Sequence, residues 1–154
     1  MKVKLDLKID GIKNIVLNTD TFEQKVEATN LLSAMAENMG ENFMKYAEYM
    51  MPLIDELIMI KNSKEMRGNM IDCCKFMVQD GRNMEEKNMM LTRVYPMLKK
   101  ALAEAIRVRD HSEVASISEA FALSMPFMTQ EMAATLPDMM MAVLGLVKNL
   151  TNEI

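Results

Sequence analysis

Along most of the chain apolar residues recur at intervals of three and four, the spacing that puts them on one side of an α-helix. The stretch YAEYMMPLIDELIMI is typical: Met50, Ile54, Leu57 and Ile58 keep that spacing on both sides of Pro52. A proline inside a helix removes one backbone hydrogen bond and crowds the preceding turn, at roughly 3 kcal/mol. Its place becomes intelligible once AEYMMPLIDELI, LTRVYPMLKKAL and AATLPDMMMAV are aligned, because Pro52, Pro96 and Pro137 then occupy the same point of three segments, 44 and 41 residues apart. Recurrence at a nearly constant interval marks a reused structural unit.

A second marker keeps step with the first. Asp20, Asn62 and Asp110 are each followed three residues later by a glutamate, Glu23, Glu65 and Glu113, the pattern of a capping box that opens a helix. Eight, eleven, twelve and fifteen positions after these caps lie Ala28, Leu31, Leu32 and Met35, then Met70, Cys73, Cys74 and Met77, then Ser118, Phe121, Ala122 and Met125. This stripe is expected to be the buried face.

The pattern therefore predicts helices at about 21–38, 41–60, 63–79, 83–106, 111–125 and 129–149, with Gly40 and Gly81 at two of the stops. Helices carrying a proline (A: 41–60, 83–106, 129–149) alternate with helices opened by a box (B: 21–38, 63–79, 111–125). The expected fold is all-α, an α-solenoid of about three HEAT-type antiparallel helix pairs spanning residues 20–154. In such a stack the A helices lie on the outer, convex side, where a proline lets them bend. Residues 1–19 differ: Val3, Leu5, Leu7 and Ile9 alternate with charges, which fits a short strand or extended arm pairing with residues 12–17 or with another chain. The chain opens near a B helix and closes at NLTNEI, about where the next box is due, so the pattern suggests a piece of a longer protein.

Composition narrows the function. Half of the 154 residues are hydrophobic, with five glycines, four prolines and no tryptophan, a balance that favours helices over a many-stranded sandwich. The formal charge of −4 disfavours a nucleic-acid surface and suits a basic protein partner. No apolar run approaches the roughly 20 residues of a membrane span, so the expectation is a soluble intracellular protein. Two adjacent cysteines and one histidine make no four-ligand zinc site without recruited carboxylates, and His111 has no second histidine or catalytic serine pattern nearby. Asp55 with Glu56, and Glu85 with Glu86, diverge as helix neighbours. No catalytic, cofactor or metal residue is therefore assigned.

The stretch GIKNIVLNTDTFEQKVEATNLLSAMAENMGENFMKYAEYMMPLIDELI resembles the central HEAT repeats of the karyopherin-beta (importin-beta) nuclear transport receptors, closest to the importin beta-3 branch. Gly11-Ile12-Lys13, Glu23 and Lys25 ahead of ATNLLSAMAENMGENF, YAEYMMPLIDEL, and Arg67 in KEMRGNMIDCC carry the likeness. Twenty methionines, Gly68 and the link RVRD depart from the family pattern. The resemblance implies a receptor shuttling between cytoplasm and nucleus through the nuclear pore, which takes up protein cargo and nucleoporins. It implies Ran GTPase binding through other parts of the full-length protein. The class that competes with it is a HEAT scaffold subunit of a phosphatase or kinase complex. Helical spacing puts Asn30, Ser33, Glu37, Asp72, Lys75 and Gln79, with Val26 and Gly68 on the same stripe, on the concave B-helix face, where the resemblance implies that cargo is taken up. Ser116, Ala120, Leu123 and Phe127 hold the matching positions of the third B helix.

Overall fold

The computed structural model describes the backbone of residues 3–9, 12–19 and 22–152 and the side chains of residues 22–149. Two antiparallel strands come first, β1 (Val3–Ile9) and β2 (Ile12–Thr19), paired from Val3 opposite Thr19 to Ile9 opposite Ile12 with an irregularity between Leu7 and Ile9. Asp20, the first expected cap, lies outside the described residues.

From residue 22 onward the described chain is helical: α1 (Phe22–Met39), α2 (Ala47–Leu57), α3 (Lys64–Gln79), α4 (Met84–Arg107), α5 (His111–Ser124), α6 (Gln130–Ala134) and α7 (Leu136–Asn152). α3 lies against α1 on one side and α5 on the other, and it also packs on α2 and α4; α4 continues the contact to α5 and α7. One continuous core of buried residues runs through these helices.

The starts and stops follow from local chemistry. Gly40, at φ 57°, ends α1 in the left-handed conformation that glycine adopts without strain. The chain then tightens into a 3-10 helix over Gly40–Tyr46 before α2, so the segment expected as one A helix over 41–60 is two, hinged around the buried ring of Phe43. Ser63 caps α3 by accepting from the Met66 amide at 3.1 Å, and Asp110 caps α5 by accepting from the Glu113 amide at 3.2 Å. Asn62, the cap expected for α3, is one residue too early. Asn83 caps α4 through the Glu86 amide at 2.9 Å, while Glu86 reaches back to the Arg82 amide at 2.7 Å.

With the caps corrected, the buried residues repeat. α1 buries Lys25, Thr29, Leu32, Ser33 and Ala36. Moved 41 residues on, this set becomes Met66, Met70, Cys73, Cys74 and Met77 of α3; a further 47 residues make it Glu113, Ile117, Ala120, Phe121 and Ser124 of α5, and all are buried. The expected stripe holds in α3 but slips by one residue in α5, where Ala122 and Met125 are exposed. That slip is the cap error carried along the chain: a count begun at Asn62 overshoots when it is begun at the true cap Asp110. In α1 the expected Leu31 is 57% exposed. The apolar side of that helix faces away from α3, its only described neighbour in that row.

The prolines keep register too. Aligned on Pro52 and Pro96, the buried residues Ala47, Met50, Met51, Ile54, Leu57 and Ile58 match Leu91, Val94, Tyr95, Leu98, Ala101 and Leu102. Both prolines are exposed, as are Glu48 and Thr92, the residues whose carbonyls lose a helical amide partner to the prolines. Pro137 behaves differently. It is the second residue of α7, where the first-turn amides have no intrahelical partner to lose. The helix expected over 129–149 is therefore two, α6 and α7, because Pro137 cannot donate to Ala133 and its ring disfavours helical geometry at Leu136.

Gly68 sits in the interior of α3, and a Cβ added there meets no atom within 4 Å. Gly68→Ala removes backbone freedom from the unfolded chain without a clash. It is expected to raise stability by about 0.8 kcal/mol, read as a shift of the urea midpoint at constant slope.

Candidate protein-interaction surface

The six residues expected on a partner-binding face fall into two groups. Asn30 is tied into the seam between α1 and α3: its amide donates to Glu65 Oε1 at 3.2 Å and its oxygen accepts from Asn69 Nδ2 at 2.6 Å, while Asn69 also donates to Thr29 Oγ1 at 3.0 Å. Ser33 is buried in that seam, and Ala120, expected on the open face of α5, is fully buried. Both positions are inaccessible because the B helices pack directly on one another, so a stripe that looks free on one helix is its neighbour's contact.

Glu37 and Gln79 are exposed. Asp72 and Lys75 are half-buried and paired, with Nζ 3.7 Å from Oδ1, and the ammonium lies 4.8 Å from the Phe76 ring centre. Burial raises the Asp72 carboxyl above its usual range; Lys75 opposes this, and the nearby charges of Glu119 and Glu37 add to it. α1 and α5 thus place Glu37 and Glu119 within reach of the Asp72 carboxylate on α3, with Lys75 as its counter-charge. Glu119 was not among the expected residues. Its signal was present, since Glu119 stands 47 residues after Asp72, the same step that relates the buried sets of α3 and α5.

Arg67, which carries part of the family likeness, is a structural tie. Its guanidinium donates to Glu113 Oε1 and to the Ile60 carbonyl, both at 2.8 Å, and approaches Asp110 Oδ2 at 4.0 Å. Lys64 reaches the same corner, donating to Asp110 Oδ1 at 2.9 Å and to Ser112 Oγ. Lys64 above all, with the Glu113 amide and the Ser112 hydroxyl donating beside it, holds the Asp110 carboxyl down at about 2 against the opposing effect of burial. The corner joins the start of α3 to the start of α5 and forms one wall of a cleft of about 510 Å³ between the C-terminal ends of α2 and α4.

Cys73 and Cys74 are buried free thiols. Burial pushes Cys73 up to about 12, with the Asp72 charge adding to it, and Cys74 higher still. Neither is a thiolate at neutral pH, so neither is poised as a nucleophile or metal ligand. His111 is an exposed first-turn residue of α5. Among the described residues no group of three or more His, Cys, Asp and Glu side chains is placed to hold a metal ion, and no helix is long and apolar enough to cross a membrane. Comparison of the chain with protein-family models, with curated proteins and with solved structures found no match.

Two predictions follow the charges. Truncating Arg67 strands the buried Glu113 carboxylate, so Arg67→Ala should cost about 3 kcal/mol, and Arg67→Met combined with Glu113→Leu should recover part of it; chemical denaturation of the three variants measures both. Asp80, at the end of α3, has Oδ2 buried without a hydrogen bond, and burial pushes its carboxyl up to about 6 against the pull of Lys87. A raised carboxyl stabilises the fold below about pH 4, and that contribution is lost as pH climbs through 6. Asp80→Asn should therefore raise Tm at pH 7.5 and lose that advantage towards pH 4. A gain that does not vary with pH would rule out carboxylate burial as its cause.

Proposed function

We propose that this chain is a non-catalytic α-solenoid segment that binds proteins, and that it belongs to a nuclear transport receptor of the karyopherin-beta kind. The observation that carries the solenoid reading is the recurring buried register, in which α1, α3 and α5 present the same five positions to the core while α2 and α4 match about their prolines. A unit that cannot bury its apolar face alone, and does so against a copy of itself, is the basis of helical-repeat architecture. The row of α1, α3 and α5 is then the concave layer, and α2, α4 and α6 with α7 form the outer one. The transport reading rests on the likeness of residues 11 to 77 to the family.

The partner face on this reading is centred on Glu37, Asp72 and Glu119, with Gln79 on the same stripe and Lys75 as a counter-charge. Its acidity favours basic cargo, and the attraction is of the screened, salt-sensitive kind. Nucleoporins and cargo pass through cytoplasm and nucleus with such a receptor, and Ran acts through other parts of the full-length protein.

Affinity capture from cytosol tests this. The chain should retain basic proteins and nucleoporins, the basic ones should elute on raising the salt, and Glu37→Gln with Asp72→Asn and Glu119→Gln should lose most of them. Retention of one phosphatase or kinase in fixed stoichiometry would overturn the transport reading in favour of a scaffold.

A further inference from the structure

Beyond the acidic face, an apolar surface stands open. α5 and α7 enclose a groove of about 220 Å³ lined by Ser118, Ala122 and Met125 on one side and by Leu136, Met140 and Leu144 on the other. Met125, Met140 and Leu144 are each about half exposed, at 48%, 57% and 54%. A patch of this kind on a soluble surface is a contact surface.

The repeat register specifies what fits it. α3 meets α5 along Lys64 and Arg67, a stripe that helical spacing continues through Ile71, Cys74 and Val78. Forty-seven residues on, the last four of these positions are Val114, Ser118, Phe121 and Met125. The groove thus overlaps the counterpart of the surface on which α5 itself rests, sharing Ser118, Phe121 and Met125 with it.

The same register identifies the helix. α3 meets α1 along Glu65 and Asn69, and helical spacing continues that stripe through Asp72 and Phe76. Forty-one residues back, it is Gln24, Ala28, Leu31 and Met35 of α1. This is the outer side of α1, apolar at three of four positions, with Leu31 more than half exposed. One end of the stack therefore carries the face that the other end is built to receive.

We propose that a second copy of this chain docks its α1 into the groove between α5 and α7, stacking head to tail in continuation of the packing already present from α1 through α3 to α5. Such a contact joins two different surfaces, so it does not close on itself and the assembly lengthens with concentration. The inference rests on the repeated packing and not on the transport reading, under which adjoining repeats of the longer receptor would fill the same two surfaces, and failure to capture cargo would leave it standing.

Light scattering of the purified chain tests it. The wild-type mass should climb past twice the 17.6 kDa of one chain as concentration rises. Leu31→Glu blocks the head and Leu144→Glu the tail, and each variant alone should remain monomeric at all concentrations. Both side chains are exposed, so folding is retained, with circular dichroism as the control and Met140→Glu as a second tail variant. Mixed in equal amounts, the head-blocked and tail-blocked chains should form a discrete dimer that grows no further, since each still offers one intact surface. A wild type that stays monomeric, a Leu31→Glu chain that still associates through paired tails, or a mixture that stays monomeric would each overturn the proposal.

Discussion

α3 is packed by α1, α2, α4 and α5 at once, and that constraint governs the rest of the molecule. A helix at the edge of a core buries one stripe, whereas α3 has to bury Met66, Met70, Ile71, Cys73, Cys74, Met77 and Val78 on more than one side. The choice of residues suits this position. Two adjacent cysteines let neighbouring backbones approach closely, and the unbranched methionines adapt to the gaps between four helices. Polar groups are left only the rims, which is why Asn69, Arg67 and the Asp72–Lys75 pair stand where α3 meets its partners in the same row.

Those rims fix how the helices sit against one another. Apolar contact between α1, α3 and α5 is non-directional, but the hydrogen bonds from Asn69 to Thr29 and Asn30, and from Arg67 to Glu113 and the Ile60 carbonyl, are directional. α4 is tied on the outer side in the same manner. Tyr95 stacks edge-on against Phe121 with ring centres 5.5 Å apart and donates to the Met132 carbonyl at 3.2 Å, gripping the junction of α6 and α7. Function on the proposed reading follows from this rigidity: acidic side chains from three helices form one face only if the helices hold their register.

Pro52 and Pro96 gave the 44-residue step that relates the buried positions of α2 and α4, and most helices lie close to where the 3.6-residue pattern put them. Asn62 failed as a cap because two adjacent residues, Asn62 and Ser63, both have the chemistry, and only the backbone geometry selects between them. Leu31 failed as core because hydrophobicity marks a face fit for burial without saying whether a neighbour is there. Ser33 failed as an exposed partner residue for the converse reason: a polar residue next to another helix is buried whatever its preference. Glu119 was missed although the repeat spacing pointed to it.

The sequence by itself determined the helical character of residues 22 to 152 and most of the helix limits, apart from the breaks over Gly40–Tyr46 and between α6 and α7, because these depend on local spacing, caps and prolines that act within a few residues. Tertiary structure alone decided which side of each helix is covered, which carboxylates share a face and which apolar stripe is left open at either end. Those outcomes depend on groups about 40 residues apart being brought together, and a local pattern carries no record of which neighbour arrives.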